Sequence, residues 1–229
     1  MNTKWVTFSF YAFLLACLLS WQLDAMMFVA KENDIRFEQE MEQAYRDAPI
    51  SFFENTRYRK GFSQYSKYTE AVLSEITFFP VEKKYLSLVS YEDSYGGART
   101  YGGERTHEGC DIMAVSSERG TIPIVSMTDG IVKNIGWLKL GGYRIGILSD
   151  SGMYYYYAHL DSYAPNIKKN DRVHAGQFIG MMGDTGYSEV EGTTGNFPVH
   201  LHLGIYYYDE NQSEKSLNPF PFLKRLKSF

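Results

Sequence analysis

The run Val199-His200-Leu201-His202-Leu203-Gly204 sets two histidines one residue apart, in alternation with Val199, Leu201 and Leu203. In a strand, side chains point alternately to opposite faces, so residues two apart share a face. Read that way, the run has one apolar face that demands burial and one face of imidazole. A chain with this constraint needs a sheet with a packed side and a polar, donor-rich side.

Two other short runs carry matching chemistry: Thr106-His107-Glu108-Gly109-Cys110-Asp111 and Tyr154-Tyr155-Tyr156-Tyr157-Ala158-His159-Leu160-Asp161. Together the three runs use four of the five histidines. Imidazole nitrogen and carboxylate oxygen suit a borderline-soft cation such as zinc, and a catalytic zinc takes three protein ligands with one position left open. His107 and Asp111 are four residues apart, roughly 13 Å on an extended strand, too far for one metal. Gly109 permits a bend that would bring them together. Alternation then turns Cys110 away from Asp111, as a small core residue. His174 has no partner at ligand spacing and reads as a solvated loop histidine. Asp161 reads as a turn residue, with the alternative of a carboxylate that holds a site histidine. The four tyrosines read as alternating strand residues with His159 at the strand's end, ahead of an aromatic ligand platform.

Absent patterns narrow the chemistry. The chain has no H-E-x-x-H helix, no C-x-x-C pair, no P-loop and no G-x-G-x-x-G, so a helical zinc protease site, a zinc ribbon and nucleotide chemistry have no support. The H-x-H also lacks the following aspartate and histidine of the metallo-β-lactamase pattern.

The ordered set H-x-x-x-D, A-H-L and H-x-H resembles the lysostaphin and LytM-type zinc endopeptidases of bacterial cell walls. The likeness runs from Phe79 to Tyr208 and includes H-E-G-C-D-I-M-A, T-I-P-I-V-S-M-T-D-G-I-V, Y-A-H-L and V-H-A-G-Q-F-I-G-M-M-G-D-T-G. The resemblance implies that His107, Asp111 and His202 ligate zinc, and that His159 and His200 are catalytic histidines that do not. It implies hydrolysis of peptide bonds in peptidoglycan by a zinc-activated water. The two histidines would then orient or deprotonate that water and stabilise the tetrahedral oxyanion. The chain departs from the pattern in two places: Gly186 to Pro198 is longer than the usual link before H-x-H, and Gly204 stands where glutamate is often found. Glycine-rich stretches at Tyr95 to Gly103 and Gly183 to Gly195 are compatible with a groove for an extended peptide of small residues.

The rest of the chain organises around that domain. Its 229 residues, 44% hydrophobic, suffice for a sizeable core, and a net charge of -4 leaves no basic footprint for nucleic acid. Cys17 and Cys110 make no disulfide framework. Trp5 to Leu23 carries no charge and matches the ~20 residues needed to cross a bilayer. Residues 1–30 are therefore expected to be an uncleaved transmembrane anchor, with a signal segment as the alternative, and the catalytic domain outside the cell. Residues 31–78 read as a helical stalk or linker able to meet a partner protein, with an amphipathic helix over Phe37 to Arg46 and a second over Tyr68 to Ile76. Residues 79–229 form the metallopeptidase domain, which is mainly β. Its strands are expected at Asp111–Val115, Ile122–Ser126, Gly130–Trp137, Tyr143–Leu148, Met153–Ala158, Gln177–Met182 and Val199–Tyr208, in a mostly antiparallel sheet. From a different functional class comes a second reading, a membrane-anchored LytM-like protein without activity, or latent, that regulates wall remodelling, division or sporulation.

Overall fold

Apolar side chains at every second position place the strands, and short polar or glycine-containing turns join them. The structure is a computed structural model that describes residues 64–227 apart from Gly102. All of these lie in the unit spanning Asn55–Phe229. The expected anchor over Trp5 to Leu23 and the helix over Phe37 to Arg46 lie outside the described residues. Among the described residues no helix is long and apolar enough to cross a membrane.

Helix α1 (Gln64–Glu75) leads through a 3-10 turn at Lys83–Leu88 into twelve strands. They are β1 (Val89–Tyr91), β2 (Ala98–Arg99), β3 (Arg105–Thr106), β4 (Cys110–Ala114), β5 (Pro123–Val125) and β6 (Gly130–Leu138), followed by β7 (Gly142–Leu148), β8 (Tyr154–Tyr163), β9 (Arg172–Val173), β10 (Phe178–Met182), β11 (His200–Tyr208) and β12 (Glu214–Leu217). Helix α2 (Phe220–Lys227) follows β12. The main sheet runs β1-β4-β11-β8-β7-β6-β9, with β12 also beside β11 and with β10 joining β8 to β5. Every pairing is antiparallel, and β2 and β3 form a separate two-stranded ribbon.

All seven expected strands are present, shifted by a residue or two at their ends, except that β8 runs on past Ala158 to Tyr163. The pieces absent from the sequence reading are β1, β2, β3, β9, β12, the 3-10 turn and α2. Those strands, of two to four residues, are too short to display a period, whereas three-residue β5 lies within the longer, mostly buried run Ile122–Ser126. Helix α2 is held locally: the Asn218 side chain accepts the Phe220 N–H at 2.9 Å, while Phe222 and Leu223 are buried.

The four central strands divide their side chains cleanly. Cys110 and Ile112 of β4, Leu201, Leu203 and Ile205 of β11, Tyr155 and Tyr157 of β8, and Ile145 and Ile147 of β7 are all fully buried on the core side. Tyr157 keeps its hydroxyl satisfied there by accepting the Met127 N–H at 2.9 Å. Val72 of helix α1 and Ile76, which directly follows it, close one part of this core. Tyr68 stacks on Tyr207 at 3.8 Å, and Glu75 accepts the Tyr155 hydroxyl at 2.6 Å. The opposite faces of β4, β11, β8 and β7 carry the polar residues that make the site.

Candidate metal centre

The register between β4 and β11 sets His202 opposite Asp111 and His200 opposite Met113. His202 Nδ1 lies 3.0 Å from Asp111 Oδ1. His107 comes from the turn between β3 and β4, and its Nε2 is 3.0 Å from the same oxygen and 2.8 Å from His202 Nδ1. Bending before β4 thus unites His107 with Asp111, as the four-residue spacing required. Gly109 serves this in a different way from the one expected. Its backbone has no positive φ, and its lack of a side chain matters because a Cβ there would run into the His202 ring and the Leu203 carbonyl.

The protonation of the cluster follows from its outer contacts. His107 Nδ1 faces the Ser94 carbonyl at 2.7 Å, and a carbonyl can only accept, so Nδ1 carries a hydrogen and Nε2 is the atom turned to the cluster. Burial pushes His202 below the ordinary histidine value, favouring a neutral ring. Three donor atoms of His107, Asp111 and His202 therefore converge within 4.8 Å of one another. A single proton can bridge one such contact, whereas a cation satisfies all three. The donor set of two imidazoles and one carboxylate fits zinc. Arg99, on the β2–β3 ribbon, holds the remaining Asp111 oxygen at 2.7 Å and leaves Oδ1 turned to the cluster.

His200 and His159 stand beside this group. His200 Nε2 is 3.9 Å from Asp111 Oδ1, and its Nδ1 donates to the Pro198 carbonyl at 2.7 Å. His159 Nδ1 donates to the Thr185 carbonyl at 2.7 Å, and its ring centroid is 4.7 Å from that of His200. Both rings then direct an Nε2 lone pair away from their carbonyl anchors. Burial lowers the pKa of each, most strongly for His159, where the neighbouring histidines add to the effect.

His159 reaches this face through a break in the alternation. Continuing the period of Tyr155 and Tyr157 would bury it in the core, but its φ of 61° inserts a bulge. Leu160 takes the core position instead. At the same residue β8 leaves its pairing with β11, whose last partner is Ala158, and takes up β10 through Leu160 and Ser162. His159 is thus inside β8 rather than at its end.

Cys110 is in the core, its thiol pushed up to about 12 by burial and by Asp111. The His174 side chain is 72% exposed, 3.7 Å from Asp129. Asp161 is neither a turn residue nor a partner of a histidine: it lies in β8 and meets Arg119 at 3.3 Å. Gly204 leaves space that the Tyr206 ring fills.

Arg99, Tyr187 and Phe197 were not legible from motif spacing. Tyr187 and Phe197 sit in the Gly186–Pro198 stretch and meet His159 edge-on at 6.0 and 4.5 Å. Tyr187 also stacks on Tyr101 at 4.2 Å and accepts its hydroxyl through the main-chain oxygen. Large aromatic residues isolated in a glycine-rich loop were the available signal.

Comparisons with known proteins agree with this geometry. The sequence model described as Peptidase family M23 matches residues 105–219. The L-Ala--D-Glu endopeptidase of Bacillus subtilis (strain 168) is 43% identical over 135 residues, which are 59% of this chain and 40% of that protein. The glycyl-glycine endopeptidase ALE-1 of Staphylococcus capitis is 35% identical over 106 residues, 44% of this chain and 26% of that protein. A solved lytM structure from Ruminococcus gnavus ATCC 29149 gives a TM-score of 0.66 at 48% identity, covering 75% of this chain and 70% of that one. The chain spans less than half the length of these two curated relatives.

Proposed function

This chain belongs to peptidase family M23, and from that membership we propose that it is a zinc-dependent endopeptidase that hydrolyses peptide bonds in bacterial peptidoglycan. The observation that carries the proposal is the convergence of His107, Asp111 and His202 beside two further buried histidines with their own carbonyl anchors. Zinc held by those three residues would polarise the scissile carbonyl and lower the pKa of water towards ~7. The chain's own part is proton handling and positioning. Neutral His159 and His200 each present an Nε2 able to accept a proton from the attacking water and return it to the leaving amine. Their Nδ1 hydrogens stay fixed on Thr185 and Pro198, so both rings are oriented before substrate arrives. Arg99 keeps Asp111 turned to the cluster, and Phe197 and Tyr187 limit water on the His159 side.

The names of the two relatives supply two bonds as candidates, alanyl-glutamyl and glycyl-glycine. Peptidoglycan lies outside the membrane, so the proposal includes a single-pass amino-terminal anchor with the domain on the wall side, or secretion as the alternative. Incubating the chain with purified peptidoglycan and zinc should release new amino groups, and His200→Ala should abolish that release. No release from several peptidoglycans would overturn the hydrolytic reading and leave the latent, partner-binding one.

A further inference from the structure

The groove of about 840 Å³ that contains His107, Asp111 and His202 continues well beyond them. Past His202 its floor follows the same faces of β11, β8 and β7. Tyr154, Tyr156 and Tyr206 line it, and Tyr154 lies across β7 only because Gly146 has no side chain to collide with its ring. The far wall belongs to Arg144 of β7 and Lys133 of β6.

Arg144 has an unusual position for a guanidinium. Ile145 faces the core, so Arg144 faces the groove. It lies between Tyr143, paired with Leu160, and Ile145, paired with Tyr157, and is therefore level with Ala158, the partner of His202. Two strand spacings, roughly 10 Å of backbone, separate Arg144 from His202. Its charge reaches the Tyr154, Tyr156 and Tyr163 phenols, which it draws downward against the larger upward push of burial. Among the described residues neither Arg144 nor Lys133 forms an ion pair, and Arg144 Nη1 is buried without a hydrogen-bond partner.

Arg144 lines the groove without an acidic partner among the described residues, so its guanidinium is open to pairing with a carboxylate there. Guanidinium matches carboxylate in a planar, two-point fit, and Lys133 on the same wall adds positive charge to the groove. We propose that Arg144, on the groove wall that also carries Lys133, is a subsite for a carboxylate on the peptide substrate, one to three residues along from the scissile bond. This deepens the endopeptidase reading and rests on it. Of the two candidate bonds, alanyl-glutamyl is the one that itself supplies such a group. A glutamyl residue within a chain keeps one free carboxylate after the other enters an amide, and glycine has none.

The test separates binding from turnover. Zinc-loaded full chain carrying His200→Ala, which leaves the peptide intact, is titrated calorimetrically with acetyl-L-alanyl-D-glutamyl-L-lysine amide. The comparison peptide has the free glutamyl carboxylate amidated. The acid peptide should bind at least about tenfold more tightly. Adding Arg144→Gln should erase that preference while leaving the amidated peptide's affinity unchanged, which shows the groove intact, and Arg144→Lys should restore part of it. Equal binding of the two peptides, a preference that survives Arg144→Gln, or no binding of the acid peptide at millimolar concentration overturns the subsite. Hydrolysis by the chain with His200 present is scored separately. Carboxylate-dependent binding without cleavage would sink the hydrolytic reading and keep the subsite; cleavage without carboxylate preference would do the reverse.

Discussion

The oxygens of Asp111 have two different partners, and that division defines the residue-scale design. Oδ1 faces His107 and His202, while Oδ2 is held by Arg99. Removing a ligand and removing its support should therefore differ in degree. His202→Ala and Asp111→Ala should lose bound zinc after dialysis, whereas His200→Ala should keep most of it, as read by elemental analysis; the opposite pattern would reverse the proposed roles. Arg99→Ala should retain the three ligands but weaken zinc affinity by roughly 10- to 100-fold, the usual effect of losing an orienting contact. Competition with a calibrated chelator measures it, and an unchanged affinity would remove Arg99 from the site. Ligand identity could be proposed from the ordered motifs. Arg99 could not, because its contact joins residues from a two-stranded ribbon and the main sheet with no spacing rule between them.

At the scale of elements the decisive feature is the end of β8. Strand periodicity accounts for Tyr154 to Tyr157, two inward and two towards the groove, and it predicts the wrong face for His159. The bulge corrects this, and Thr185 holds it. The Thr185 hydroxyl donates to the Leu160 carbonyl at 2.7 Å and accepts the Tyr143 N–H at 3.0 Å, while its carbonyl receives His159 Nδ1. Thr185→Val keeps the shape and strips the hydroxyl, leaving two backbone groups without their partner. Urea unfolding should show a loss of about 1–3 kcal/mol, with a larger fractional loss of peptidoglycan hydrolysis as the His159 ring loses its setting. Unfolding curves that overlay would show that Thr185 does not hold the bulge.

For the whole molecule, α1 is the element whose role sequence position disguises. It falls before Phe79, where the motif-bearing part of the chain begins, yet Val72 and Ile76 are in the same core as β8 and β11. Burying each such side chain contributes about 1.5–3 kcal/mol, and Glu75 adds its contact with Tyr155. A chain starting at residue 64 should accordingly unfold at a clearly higher urea concentration than one starting at Phe79; equal midpoints would make α1 a passive linker. The sequence by itself determined seven of the twelve strands and their antiparallel sheet, and through a family resemblance it supplied the five residues of the proposed centre. Period-two burial and a fixed order of donor-bearing motifs are properties written along the chain. Tertiary structure alone decided that Gly109 is small to admit the His202 ring, that a bulge turns His159 out of the core, and that Arg99 and Arg144 face the groove. Those outcomes depend on strand register and on close approach between segments up to about a hundred residues apart, where no local period or motif carries a signal.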